Sequence, residues 1–95
     1  MNTALPLMNK KKGLIMGVAN ERSIAWSIAK TAHEHGAELA FTYQGDALLK
    51  RVAPLADSIG SKILLPCDVN KDASIDDVFS ELSKAWDTID FVVHA

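Results

Sequence analysis

What most restricts how this chain can fold is an alternation of two hydrophobic periods along its 95 residues. Residues 13–19 (GLIMGVA) form an unbroken apolar run, the pattern of a strand covered on both faces. Ile24, Ala25, Ile28, Ala29 and Ala32 then recur at helical spacing, Lys30, His33 and Glu34 point elsewhere, and Gly36 stops the helix. A second buried strand is predicted over residues 38–43. A second helix follows over 46–59, carried by Leu48, Leu49, Val52, Leu55, Ala56 and Ile59 and closed by Gly60. Pro54 removes one backbone donor inside it and is expected to kink or split it. Residues 62–66 predict a third strand. Ile75, Val78, Phe79, Leu82, Ala85 and Trp86 predict a helix from about 74 to 86, and residues 91–93 a fourth strand.

Four strands over three helices, at the roughly 30-residue pitch of a βαβ unit, require parallel strands joined by right-handed crossovers. The expected fold is therefore α/β, a Rossmann-like doubly wound parallel sheet represented by its first four strands in the order 3-2-1-4 with three helices. In such a sheet, ligands bind outside the C-terminal ends of the strands at the switch point. A chain that stops at the tip of strand four stops inside that site. Residues 1–95 are thus expected to be the N-terminal part of a single Rossmann-type domain, without an internal boundary.

Composition narrows the function classes. Ten basic against twelve acidic residues give a net charge of −2, so no basic field draws in nucleic acid or an anionic membrane. No run approaches the roughly 20 apolar residues of a membrane span. The short apolar patch from Ala4 to Met8 precedes its lysines, the reverse of a secretory signal. The single Cys67 cannot form an intrachain disulfide, which fits a reducing, cytoplasmic setting.

The turn after the first strand reads GVANERSIA over residues 17–25. A dinucleotide fold needs glycine for the tight turn and free N–H groups at a helix N-terminus for the pyrophosphate. Gly17 is present but G-x-G-x-x-G is not, and Ser23 suits an ordinary helix N-cap as well as a phosphate contact. Two further stretches keep it company: GAELAFTYQ over residues 36–44, and Cys67-Asp68-Val69 after the third strand.

Together these three motifs, in this order, resemble the NADH-dependent enoyl-acyl-carrier-protein reductases of bacterial fatty-acid synthesis, divergent members of the short-chain dehydrogenase/reductase superfamily. The resemblance runs from Lys12 to Ala95. Ordinary superfamily members carry glycines where Glu21 and Ser23 stand, a departure that matches the enoyl reductase branch. The resemblance implies hydride transfer from NADH to the trans-2 double bond of an enoyl thioester on acyl carrier protein, with a tyrosine stabilising the enolate, in a homotetramer. It implies that Gly17 lies under the cofactor's ribose and phosphates, that Ser23 and Ile24 meet the pyrophosphate, and that Gln44 lies beside the adenosine ribose. Asp68 and Val69 would read the adenine, the carboxylate accepting from its amino group and the next N–H donating to a ring nitrogen. Taken without the resemblance, Asp68 reads equally well as a helix-start residue.

The stretch from Tyr43 to Asp46 carries no positive charge to meet a 2′-phosphate, which favours NADH over NADPH. Asp46 suits the first turn of the second helix better than a ribose contact. His33 and His35, two apart on a helix, face different directions and no metal spacing completes them. His94 is expected to pack near the cofactor without a catalytic role. Tyr43 and Lys50 have the Tyr-x6-Lys spacing of the family's catalytic pair, but they fall on the adenosine side of the sheet and the match is a coincidence of spacing. Tyr43 is the only tyrosine, so no catalytic residue is assigned within the chain. Two alternatives share these elements: a carbonyl-reducing short-chain dehydrogenase, which would carry Tyr-x-x-x-Lys further along, and a non-enzymatic dinucleotide-binding module. A receiver-like module would need an acidic pair after strand one, where Val18-Ala19-Asn20 offers none.

Overall fold

A computed structural model describes residues 7–95, so most of the apolar patch that begins at Ala4 lies outside the described residues. Strands β1 (Lys12–Met16), β2 (Glu38–Tyr43), β3 (Ile63–Pro66) and β4 (Phe91–His94) alternate with helices α1 (Ile24–Glu34), α2 (Asp46–Ser58) and α3 (Asp72–Ala85). All strand pairs are parallel and the order is β3-β2-β1-β4, as the alternation predicts.

Each strand serves two faces because successive side chains alternate. In β1, Ile15 joins Trp26, Ala29, Phe41 and Val52 on the face covered by α1 and α2, whereas Leu14 and Met16 join Ala40, Val78 and Leu82 on the face covered by α3. Trp26 and Phe41 meet at a ring-centroid distance of 6.0 Å and a 44° tilt. Gly13 has no side chain because the Phe91 ring of β4 lies where its Cβ would be. Asp90 fastens the same two strands at their start: its carboxylate accepts from the Lys12 N–H at 2.7 Å, and its own N–H donates to the Lys12 carbonyl at 2.7 Å.

Helix α1 ends in paired bonds from the Gly36 N–H to the His33 carbonyl and from the Ala37 N–H to the Ala32 carbonyl, and α2 repeats the motif with Gly60 and Ser61. The segment before β1 crosses this end of α1, with the Met8 N–H on the His35 carbonyl and the Lys10 N–H on the Gly36 carbonyl.

Three features depart clearly from expectation. β1 stops at Met16 rather than running to Ala19, because Gly17 adopts φ +95 and turns the chain away. α3 starts at Asp72, two residues early. α2 is one helix through Pro54 rather than two pieces. Pro54 and Lys50, whose carbonyl loses its intrahelical donor, are both exposed, so the missing bond falls at the surface rather than in the core.

Candidate functional site

The turn from β1 into α1 begins at Gly17, whose positive φ favours a residue without a Cβ and whose Cα side is occupied by the Ala95 carbonyl oxygen. A side chain there would meet the Ala95 backbone. The turn is then organised around Ser23. Its hydroxyl oxygen accepts from the N–H groups of Ala19 (2.9 Å) and Asn20 (3.1 Å), and Asn20 in turn accepts from the Arg22 N–H at 2.8 Å. Ser23 occupies the N-cap position of α1, but its hydroxyl turns back into the loop and caps no helix N–H, contrary to the capping reading. Because both of those bonds use the oxygen as acceptor, the hydroxyl proton is still free to donate.

The first turn of α1 therefore has no side-chain cap and no acidic residue, so its N–H groups and positive dipole end face outward without an internal anion. Ile24, which heads the helix, is 72% exposed despite its apolar side chain.

Beside this turn, at the C-terminal ends of all four strands, lies a cleft of about 160 Å³. Gly17, Gln44 and Val69 line it, and so do Thr42, Cys67 and His94. Ser23, Ile24 and Asp68 do not line the cleft. Ser23 is tied to it through Ala19, and Asp68 sits between its wall residues Cys67 and Val69. Asp68 does not start α3, which begins four residues later; its carboxylate accepts from the Asn70 N–H at 3.0 Å and its N–H donates to the Ser74 hydroxyl at 2.8 Å. With the Lys71 N–H on the Asp68 carbonyl, the N–H of Val69 is left unspent inside the turn, and Val69 is 40% exposed.

A second cleft, of about 330 Å³, lies at the opposite end of the sheet between Glu38, Lys62 and Trp86. It is larger but sits at the N-terminal ends of the strands, where a doubly wound sheet does not place its ligand. A third, shallow cleft carries Arg22, Lys50 and Arg51 on the outer side of the β1–α1 turn, and none of these three lines the cleft that holds Gln44. The same arrangement separates Tyr43, a wall of the first cleft, from Lys50, a wall of the third. The Nδ1–H of His35 donates to the Thr31 carbonyl at 2.9 Å, and His33 borders the far cleft. Among the described residues no three His, Cys, Asp or Glu side chains gather as a metal site.

Sequence reasoning passed over Thr42, Cys67 and Leu48 as cleft residues. The one available signal was Thr42, the only polar side chain between Leu39 and Tyr43.

A parallel sheet of order 3-2-1-4, with a glycine turn and an uncapped helix N-terminus at its switch point, defines a Rossmann-type dinucleotide-binding architecture. The sequence pattern of the family described as "Enoyl-(Acyl carrier protein) reductase" matches residues 17–95, and the chain belongs to that family. It is 61% identical, over 89 residues, to enoyl-[acyl-carrier-protein] reductase [NADH] 2 of Rhizobium meliloti (strain 1021), covering 94% of this chain and 33% of the relative. The crystal structure of FabI from Candidatus Liberibacter asiaticus is similar at a TM-score of 0.93 and 48% identity, over 96% of this chain and 35% of that one. The reductase from Anaplasma phagocytophilum in complex with NAD gives 0.90 and 50%, over 99% and 36%. The chain thus spans about a third of the length of the curated relatives it matches.

Proposed function

We propose that these residues are the dinucleotide-binding part of an NADH-dependent enoyl-acyl-carrier-protein reductase, one continuous piece of a single NAD-binding domain. The observation that carries this reading is the β1–α1 turn. A left-handed glycine opens it, the Ser23 hydroxyl keeps its proton, and the first turn of α1 offers N–H groups with no carboxylate to compete for them. That is a seat for a pyrophosphate. The names of curated relatives from Rhizobium meliloti, Rickettsia typhi and Salmonella typhimurium, each a reductase designated NADH, support the same reading.

In this reading NADH supplies the hydride that reduces the trans-2 double bond of the enoyl thioester, and the chain's own residues bind and orient. Gly17 lets the ribose and phosphates approach the backbone. Ser23 and Ile24 donate to the pyrophosphate, Gln44 holds the adenosine ribose, and Asp68 with the unspent Val69 N–H reads the adenine. His94 packs at the β4 end of the cleft. The partner is acyl carrier protein bearing the substrate, and the assembly is a homotetramer in the cytoplasm. Among the described residues no helix is long and apolar enough to cross a membrane.

The test is NADH oxidation by the full-length protein with a crotonyl thioester of acyl carrier protein. Substrate-dependent loss of NADH absorbance is expected. Reduction of a ketone substrate with no activity toward the enoyl thioester would refute the reading.

A further inference from the structure

One polar side chain in the cleft has no use in the fold or in the roles given above. Thr42 is 4% exposed and is the one buried polar residue among those described. It lines the cleft, stands in register with Leu65 of β3, and shares a sheet face with Ala40. None of the side-chain hydrogen bonds among the described residues involves its hydroxyl, yet no fully covered side-chain nitrogen or oxygen among them lacks a partner. Both statements hold together only if the small exposed part of Thr42 includes Oγ1. The hydroxyl therefore opens on the cleft. A hydroxyl that reaches solvent only through the cleft adds nothing to the packing, and a strand composed of Leu39, Ala40 and Phe41 would accept valine at this position.

We propose that the Thr42 hydroxyl is a hydrogen-bonding group for the adenosine half of the dinucleotide, acting beside Gln44, Asp68 and Val69. The inference rests on the NADH reading of the cleft. β2 lies on the β3 side of β1, away from β4, and the end of the second strand is where a doubly wound sheet meets the adenosine ribose. A hydroxyl both donates and accepts, so it matches the neutral hydrogen-bonding edge of an adenosine without needing a charge.

Thr42→Val in the full-length protein keeps the shape and removes the hydroxyl. The dissociation constant for NADH, measured by calorimetry, is expected to rise about three- to tenfold, the range for one neutral hydrogen bond. ADP-ribose is expected to weaken by the same factor, and reduced nicotinamide mononucleotide not at all. Thr42→Ser restores NADH affinity. The melting temperature without ligand stays level or rises, which separates a ligand contact from a structural one. Equal NADH affinity in wild type and Thr42→Val, or a loss shared by the mononucleotide, would overturn the inference. If Thr42→Val melts early, Thr42→Ala and Thr42→Ser decide, since equal affinity in that pair also overturns it. A wild-type protein that binds no NADH would overturn both this inference and the functional reading, an outcome distinct from wild-type binding that Thr42→Val leaves intact.

Discussion

Asp68 is the residue at which a ligand role and a structural role separate most cleanly. Its carboxylate already closes a turn by accepting from the Asn70 N–H, a bond that asparagine can replace. Asp68→Asn is therefore expected to leave stability within a few tenths of a kcal/mol. Asp68→Ala loses the turn bond, worth about 1 kcal/mol. If the carboxylate also accepts from the adenine amino group, Asp68→Ala costs a further charged hydrogen bond of about 1.5–3 kcal/mol, roughly a tenfold to hundredfold rise in the NADH dissociation constant. Unchanged NADH affinity in a folded Asp68→Ala protein would remove Asp68 from the cofactor site. Gln44 makes the complementary case: no lysine or arginine lines its cleft, so Gln44→Arg is expected to shift kcat/KM from NADH toward NADPH. Wild-type kinetics that favour NADPH would reverse that assignment. Both side chains were singled out through the family resemblance, and they lie just beyond the ends of β2 and β3. The direction of the Ser23 hydroxyl was not, since a cap and a loop anchor place the same residue type at the same position and only the path of the turn selects between them. Thr42 escaped notice because a single polar residue in an apolar strand carries no periodic signal.

At the scale of the elements, the apolar runs and helical stripes announced every strand and helix, because burial on two faces or one leaves a different period in the sequence. What the pattern could not supply was the local backbone event that overrides it. Gly17, inside an apolar run, ends β1 through its conformation rather than its polarity. Pro54 poses the reverse problem, since its missing donor argued for a kinked or split helix while α2 runs as one helix from Asp46 to Ser58. The helix survives because Val52 and Ala56 anchor α2 against the core on one side while Lys50 and Pro54, where the bond is missing, lie on the exposed side. Pro54→Ala is therefore expected to stabilise the protein. It restores one backbone bond and a good helix former, offset in part by about 0.4–1 kcal/mol of lost restriction on the unfolded chain. A net gain of about 1–2 kcal/mol in urea unfolding is the expected result. A loss would show that the proline ring's own packing against the neighbouring turn outweighs the restored bond.

At the scale of the whole molecule, the strand order decides which residues can share a reaction. The cleft crosses the ends of β3, β2, β1 and β4 in that spatial sequence, so on the proposed reading a dinucleotide lying along it would have its adenosine end over β2 and β3 and its reactive ring toward β4. Tyr43 ends β2, where its carbonyl accepts from the Cys67 N–H at 2.8 Å, and Lys50 faces a different cleft on α2. The Tyr-x6-Lys spacing of these two residues therefore brings no catalytic pair together, whatever it suggests in one dimension. In the full-length protein, Tyr43→Phe is expected to leave kcat for enoyl thioester reduction within about twofold of wild type, because a group that stabilises the developing oxyanion costs about a hundredfold or more when removed. An effect of Tyr43→Phe confined to the NADH KM would accord with a wall residue on the adenosine side. A fall in kcat of a hundredfold would move the chemistry to β2, and with it the orientation of the dinucleotide across the sheet.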